Sequence, residues 1–447
     1  MQKVVAVLGG GIGGLSACHH LSKCPNVSKI VLLEKSGRCG GWLSTIRRDD
    51  GAVFEQGPRG VRPAGAVGRN TLNLVSELGL ESEILPVTKD HVASKNRFLY
   101  VKGQLHKMPS GPGGVIRTIP PFSRPIIQSV LKEMLIRKGT EEDESVHAFV
   151  SRRLGSELAD VVIDSLCRGV FAGDSRQLSV RSCFPPLYEA ERSRGSIVLG
   201  MLMGSGEVPS DLAKRASKES WTQWSLRRGM QAFPEALEDM LKRRERVEHH
   251  HHAKVTSLNM NELASVLPPA AQPLSEQLQS IASVNVAVVN LEYEGFILPV
   301  TGFGHLVPSS EDPGLLGVVY DSVPFPQHNR SGGLTTRLTV MMGGAWFEQT
   351  FGHPDSVTKQ TLLDRATQAV TSHLGVNSQP VWSCVALHKN CIPQYHLGHW
   401  KRLEKMRQYI SNHNLPLTLA GASYDGVSVN DVIFSGRTAA EGLIGKT

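Results

Sequence analysis

The stretch "VVAVLGGGIGGLSACHHL", residues 4–21, decides the fold. An apolar run, Val4 to Leu8, passes into glycines and then into a helix pattern. Runs of this kind are typical of parallel strands buried on both faces. Gly9, Gly11 and Gly14 fall on the G-x-G-x-x-G spacing, with Gly10, Ile12 and Gly13 between them. The first glycine permits a tight turn, the second lets the backbone approach a pyrophosphate, and the third lets helix and strand pack closely. The N-terminus of the helix that follows carries about half a positive charge and unpaired N–H groups, so it attracts phosphate. A second apolar run, "KIVLLEK", reaches Glu34, 20 residues past Gly14. A carboxylate there accepts a hydrogen bond from a ribose 2′-OH and repels a 2′-phosphate, which disfavours NADP. A Rossmann-like unit that binds a dinucleotide is predicted.

At 447 residues the chain is too long for one core, so two or three domains are expected. Its 40% hydrophobic and 20% charged content is that of an ordinary globular protein and excludes a disordered one. The net charge of +7 is spread along the chain without a nucleic-acid motif. That argues against a nucleic-acid partner and leaves anionic lipid or an acidic substrate. The basic runs "RRERVE" and "LKRR" read as a solvated helix face. Seven cysteines, odd in number and without a C-x-x-C pair, read as free thiols. The first strand begins at the third residue, which leaves no room for a cleavable presequence. No stretch reaches the roughly 18 apolar residues of a spanning helix, and "SIVLGMLMG", 196–204, is too short. Any membrane contact is expected to be peripheral. The run "HHHH", His249 to His252, reads as a solvated loop. Four adjacent side chains do not converge on one ion, and no acidic cluster or C-x-x-C accompanies them, so no metal is expected.

Beyond the opening unit comes a Gly-rich loop, "GRCGGWLSTIRRDDGAVFEQGPRG", and an amphipathic helix over "TLNLVSELGL", 71–80, stopped by Gly79. Residues 88–210 alternate Pro/Gly-rich loops with helical stretches. Within 144–171 one helix ends near Gly155 and another near Gly169. Period-two patches, "SVNVAVVNLEY" and "LTVMMGG", predict an antiparallel sheet over 283–345. The C-terminal stretch reads as a strand, "LTLAG", a Gly-rich loop, and a helix starting near Asn430.

Two segments identify the dinucleotide. "RCGG", Arg38 to Gly41, lies just past Glu34, where an extra loop folds back onto a pyrophosphate. "AGASYDGVSVND" near the C-terminus closes over the cofactor again. A nicotinamide dehydrogenase needs neither, whereas a flavoprotein that encloses an extended FAD needs both. FAD is expected.

On "VLGGGIGGL", "GPRGVRPAG", "NRFLYV", "DSLCRGVFAGDSR", "GFGHLVPSSEDPG", "HKNCIPQYHLGHW" and "LAGASYDGVSVND", the chain resembles the mitochondrial protoporphyrinogen oxidase family of animals, within the amine-oxidase-like flavoproteins. These stretches stand in the family's order and cover nearly all of the chain. The resemblance implies an α/β architecture in three parts. A discontinuous Rossmann-like FAD-binding domain takes 1–87, 211–282 and 402–447; a helical membrane-associating part takes 88–210; and an α+β substrate domain with an antiparallel sheet takes 283–401. It also implies non-covalent FAD and a homodimer peripheral to the mitochondrial inner membrane, on the intermembrane-space side. The implied reaction is the six-electron oxidation of protoporphyrinogen IX to protoporphyrin IX, with three O2 consumed and three H2O2 released.

A porphyrinogen is a flexible, mostly apolar macrocycle with two propionates, so its oxidation needs a hydride acceptor, an apolar slot and a cationic anchor. The flavin N5 is the acceptor, and no protein general base is expected to be indispensable. By resemblance Arg97 in "KNRFLY" anchors a propionate, for which a guanidinium fork is suited; the bland alternative is a surface arginine. Phe303 and Leu306, flanking Gly304 in "GFGHLV", resemble the pair that sandwiches pyrrole rings, against plain core packing. Gly169 either offers its carbonyl to pyrrole N–H groups or is only a helix C-cap. Met341 lines the slot or fills a gap, and Arg168 reads as structural. For the cofactor, Gly9, Gly10, Gly11, Ile12, Gly13, Gly14, Glu34, Arg38, Gly41 and Trp42 form the core of the site. Gly57, Pro58, Arg59 and Gly60 resemble a loop near the flavin, with Arg59 directed at the pyrophosphate or at the loop's own backbone. Val255 is placed on the adenine side, and Ala422, Val427, Ser428 and Val429 in the C-terminal flavin loop.

The passage 243–274 departs from the family. After "HAKVTSL" the family continues through further strand to an A-x-P turn, whereas here "NMN" joins directly to a helix pattern, "ELASVLPP". The catalytic motifs are untouched, but FAD retention, stability and activity come into question. Two other readings stay open: a flavin amine oxidase on the same fold, and a shortened non-catalytic chain that binds porphyrin or its full-length partner. Some amine oxidases tether FAD to a cysteine near the C-terminus; here the last cysteine, Cys391, precedes the terminal flavin loop, which argues against a tether.

Overall fold

The computed structural model describes residues 3–195, 210–253, 263–265 and 267–445. Val255 and the stretch 196–204 lie outside the described residues. In chain order the first strands are β1 (Lys3–Leu8), β2 (Val27–Leu33), β3 (Thr45–Arg47), β4 (Val53–Glu55), β5 (Ile84–Thr88), β6 (Phe98–Val101) and β7 (Gln104–Lys107). They are followed by β8 (Trp221–Leu226), β9 (Val247–His250), β10 (Ser283–Glu294), β11 (Gly304–Leu306), β12 (Leu315–Val319), β13 (Thr335–Gly344) and β14 (Trp382–Pro393).

β1, β2 and β9 form a parallel sheet in that order, and the helix Ile12–Ser22 makes the crossover between the first two. Leu15, Cys18 and Leu21 of that helix share a core with Ile30 and Leu32 of β2 and with Leu237 and Leu241 of the helix Ala232–Lys242. The expectation that β1 is buried on both faces is corrected: Val4 is 67% exposed and Ala6 is exposed beside it. Among the described residues β1 pairs only with β2, and "LTLAG", 417–421, is not a strand. With no described element packed over Val4 and Ala6, that face meets solvent. The basic run is corrected too, since the helix ends at Lys242 and Val247 to His250 form β9. The histidines therefore leave a strand, not a free loop.

The larger sheet runs β14-β10-β13-β12-β11-β6-β7, antiparallel throughout except where β11 meets β6. The helix Lys359–Leu374 covers one face, burying Leu362, Ala366, Ala369 and Val370 against Val289, Leu291, Leu338 and Val340. Two of its strands, β6 and β7, come from the segment 88–210 expected to be helical. They are a hairpin whose turn residues Lys102 and Gly103 have φ of 51° and 74°. Positive φ at both turn positions matches the right-handed twist of paired strands.

In the helical part, Val146–Leu154 starts on Ser145, whose Oγ accepts the Ala148 N–H at 3.1 Å, and stops at Gly155 (φ 100°). The next helix, entered through a π-helical turn Leu158–Ile163, runs over Asp164–Phe171 and ends on Ala172 in the left-handed region. Gly169 is thus inside the helix and is not its C-cap. Burial of Cys167 and Phe171 in one cluster carries the helix two residues past the glycine. The early amphipathic helix spans Gly65–Glu77, starting earlier than expected. The C-terminal helix, Val429–Ile444, begins on a capping box of Ser428 and Asp431 and crosses the first helix closely, with the Ser16 hydroxyl donating to the Ile433 carbonyl at 2.7 Å.

Candidate active site

Gly11 is the N-cap of the first helix, and a Cβ built there meets nothing within 4 Å. The loop Arg38–Gly41 folds back beside it: Gly40 N–H donates to the Gly10 carbonyl at 2.8 Å, and a Cβ on Gly41 would lie 3.3 Å from Gly11 Cα. Open space bounded by backbone at a helix N-terminus suits a pyrophosphate. Gly14 is required for a different reason, since a Cβ there would stand 1.9 Å from the Gly9 carbonyl oxygen. Gly13 faces Val432 and Gly421, so the C-terminal loop meets the glycine turn as expected.

Glu34 is buried and hydrogen-bonded. Its Oε2 accepts the Gly10 N–H at 2.7 Å, and its Oε1 accepts the Ser36 N–H and hydroxyl, each at 2.8 Å. A carboxylate has about four acceptor positions, so room remains for one ribose hydroxyl. Arg38 donates to carbonyls of its own loop, those of Cys39, Gly41 and Leu43, and so shapes the loop. Trp42 is exposed and meets the His388 ring edge-on at 5.1 Å, while His388 Nε2 lies 2.7 Å from the Gln56 carbonyl oxygen. Gly57 is forced by the Trp42 carbonyl, 2.0 Å from where its Cβ would be; Pro58 is exposed, and Gly60 lies against Gln223. Arg59 Nη1 donates to Asp321 Oδ1 at 2.7 Å in a buried pair, and Thr339 donates to the other Asp321 oxygen at 2.6 Å. The guanidinium ties the loop to the large sheet.

At the C-terminal end the Tyr395 hydroxyl donates to the Ala422 carbonyl and accepts the Gly426 N–H at 2.9 Å, which pins the loop between them. Val427 packs on the helical cluster, Ser428 caps the last helix, and Val429 is buried at its first position. Cys391 is buried in β14 with its thiol on the Val284 carbonyl at 3.4 Å; burial pushes the thiol up to about 12. The seven cysteines are free.

The large sheet brings the substrate-side residues together. Strand register places Leu306, Gly317, Met341, Val288 and Ala386 in one row across β11, β12, β13, β10 and β14. Residues directly opposite one another share a face. The Leu306 side chain lies over Gly169, whose Cβ would stand 2.9 Å from Leu306 Cδ2. The Gly169 carbonyl accepts no N–H of the loop that follows: Ala172 donates to Arg168 and Cys167, and Gly173 to Cys167. Arg168 is structural, its guanidinium donating to the carbonyls of Val307, Asp312, Pro313 and Leu315. At the edge of the row, Phe303 packs partly on the sheet core and Gly304 sits against β12, its Cβ position 2.3 Å from the Val318 oxygen. Arg97 Cζ stands 5.8 Å from the centre of the Phe303 ring. Arg97 is exposed, with no carboxylate partner among the described residues; partial desolvation and then neighbouring Arg62 lower its pKa. An exposed guanidinium without a carboxylate partner is available to an anion. Gly317, Arg62 and His388 join this site without having been singled out in the sequence, because only strand register and long-range packing place them there.

Residues 12–264 and 259–444 match the model of the family of flavin-containing amine oxidoreductases. The protoporphyrinogen oxidase of Homo sapiens is 50% identical over 476 aligned positions, covering 100% of this chain and 99% of the human one. The chain belongs to the protoporphyrinogen oxidase family. The Schizosaccharomyces pombe relative of the same name is 32% identical, with 98% of each chain covered. Among solved structures, a putative protoporphyrinogen oxidase from an Exiguobacterium species matches with TM-score 0.77 at 22% identity over 100% of both chains. Reduced UDP-galactopyranose mutase matches at 0.70 and 13% identity over 100% of this chain and 96% of that one, so the fold alone does not select a reaction. The 476-position alignment exceeds the 447 residues present, so this chain lacks positions that the human relative has. The family match also breaks into two pieces that meet at 259–264, inside the passage that departs from the family.

Proposed function

We propose that the protein is an FAD-dependent oxidase that converts protoporphyrinogen IX to protoporphyrin IX in a six-electron oxidation, consuming three O2 and releasing three H2O2. The observation that carries this reading is the 50% identity to the human protoporphyrinogen oxidase over the full length of both chains. The open space at Gly11, the spare acceptor position on Glu34 and the loops at Gly41 and Ala422 fit an extended FAD. Bound there, FAD supplies the hydride acceptor. Arg97 takes a propionate, and the row from Leu306 through Met341 to Ala386 forms an apolar floor beneath the macrocycle, with the free Gly169 carbonyl beside Leu306 facing pyrrole N–H groups. The protein's work is to orient the macrocycle and keep water out, which is why no side chain is assigned as an indispensable base. The buried thiol of Cys391 supports a non-covalent cofactor. The deciding experiment follows protoporphyrin fluorescence from anaerobically prepared porphyrinogen and counts H2O2 per product. Three per porphyrin is expected; binding without turnover, or turnover of amines instead, overturns the reading.

The same reading places the protein peripherally on the mitochondrial inner membrane, facing the intermembrane space, as a homodimer. Support for the surface contact comes from the helices Gly111–Ile116 and Ile126–Glu133 and the turn after them. There Ile116, Leu131, Met134 and Leu135 are exposed, Leu135 by 86%. No helix among the described residues is long and apolar enough to cross a membrane. Co-flotation with anionic vesicles should be lost in Leu131→Ser/Leu135→Ser, and light scattering should report a dimer.

A further inference from the structure

The histidine run has no part in the oxidase reading, yet the fold uses it. β9 lies parallel to β2, and the pairing continues past its end: Glu34 N–H donates to the His250 carbonyl and Ala253 N–H to the Glu34 carbonyl, each at 2.9 Å. The strand ends at His250 and turns at His251 and His252; His249 and His251 are partly buried, whereas His250 and His252 are exposed. Beyond His251 stands Glu238 on the helix Ala232–Lys242, its Oε1 3.1 Å from His251 Nε2. Cys39, only 5% exposed, arrives from the Gly-rich loop. One ligand atom each from Cys39, Glu238 and His251 lies within 4.8 Å of the other two. Tetrahedral zinc, with bonds of about 2.0–2.3 Å, sets its ligand atoms roughly 3.3–3.8 Å apart, so side-chain rotation of about an ångström closes the site. His249 is the second observation. Both its ring nitrogens are buried without a partner, and Glu238 and His251 are among the groups acting on it. A buried imidazole with neither nitrogen satisfied requires an explanation.

We propose that Cys39, Glu238 and His251 form a site for Zn2+ or a similar borderline-soft divalent cation, with the unpartnered His249 imidazole turning in from outside that group as the fourth ligand, clasping three segments beside the cofactor cradle. Lys242 Nζ, 2.9 Å from Glu238 Oε1 and half-exposed, is the charge the ion replaces. Binding of the cation displaces the Cys39 thiol proton. The clasp sits where β9 leads into the shortened passage and ties the Gly-rich loop to the helix behind it.

The test uses the full-length chain after chelation, titrated with Co2+ and read as a difference spectrum against the same sample before addition. The expected result is one Co2+ per chain, with the strong visible bands of four-coordinate cobalt and a near-ultraviolet thiolate-to-cobalt band. Cys39→Ser should lose the ultraviolet band, and His249→Ala and His251→Ala should each weaken binding at least tenfold. His250→Ala/His252→Ala should change neither. Absence of the thiolate band in the unmodified chain overturns the proposal without any variant. A spectrum kept in Cys39→Ser but lost in His250→Ala/His252→Ala overturns it as well, and makes the run an exposed chelating strip.

Discussion

Arg97 and Gly11 show how one side chain, or the lack of one, prepares a site. Arg97 lies exposed over Phe303 without a carboxylate, so its charge is available to a ligand. A charge-assisted hydrogen bond contributes roughly 1.5–3 kcal/mol, so Arg97→Ala should lower kcat/KM about 10- to 100-fold with flavin content unchanged. Arg97→Lys should recover only part, because an ammonium lacks the planar fork. Unchanged kinetics with full flavin would return Arg97 to the status of a surface residue. The two glycines make a sharper contrast. Gly11→Val enters open space, so the chain should fold and lose FAD, seen as intact circular dichroism with a colourless protein. Gly14→Ala meets the Gly9 carbonyl at 1.9 Å and should lower the melting temperature even without cofactor. If both variants bind FAD equally, the glycine turn is not the cradle.

Among the elements, β4 and the helix Val146–Leu154 carry buried charge whose cost is measurable. Glu55 ends β4, accepting the Met230 N–H at 2.6 Å and the Thr45 hydroxyl at 2.8 Å. Burial pushes its carboxyl from 4.5 up to about 7. The folded chain therefore holds this proton more tightly than the unfolded chain. The stabilising contribution is complete below about pH 4.5 and is lost as pH rises through about 7. Glu55→Gln cannot ionise, so between pH 4.5 and 8 the parent should lose about 3 kcal/mol relative to the variant in urea unfolding. Parallel pH profiles would show that Glu55 titrates normally. In the helical part Arg153 is wholly buried, 2.6 Å from Glu133 and 3.3 Å from Glu191. Arg153→Met withdraws the cation facing both carboxylates and should cost roughly 3–5 kcal/mol. Adding Glu133→Leu should restore part of that loss, and a double variant no better than the single one would argue against charge as the cause.

For the whole molecule, the missing positions matter most. β1 is an edge strand among the described residues, its Val4 and Ala6 uncovered, and the family match breaks at 259–264. Unpaired strand edges promote association, and incompletely packed regions open readily. A chain with the missing strand segment inserted should melt higher, retain more FAD through gel filtration and aggregate less than this one. Excess FAD should raise the melting temperature of both, since a ligand bound only by the folded state stabilises it by RT ln(1 + [L]/Kd). Equal melting and equal flavin occupancy would make the shortening a tolerated surface variation.

The glycine turn, the acid at Glu34, the antiparallel sheet of 283–345 and the family itself were legible in the sequence, because each rests on local spacing or on long matching stretches. The hairpin at Lys102 and Gly103 was missed, its residues having been read with the helical segment. Arg59 was not legible either. Its partner Asp321 is 262 residues away, and a guanidinium in a glycine loop reads the same whether it faces phosphate or carboxylate. Gly169 likewise acquires its role only from Leu306, which folding lays across it. The histidine run shows the limit most plainly: it pairs with β2 as far as His250 and then turns, which buries His249 and His251 more than His250 and His252, and Glu238 and Cys39 arrive from other segments. Local backbone preference and residue spacing decided which elements form and which cofactor they suit. Which charged groups meet, and what each is left free to bind, was decided by tertiary packing, because burial selects partners by proximity in space.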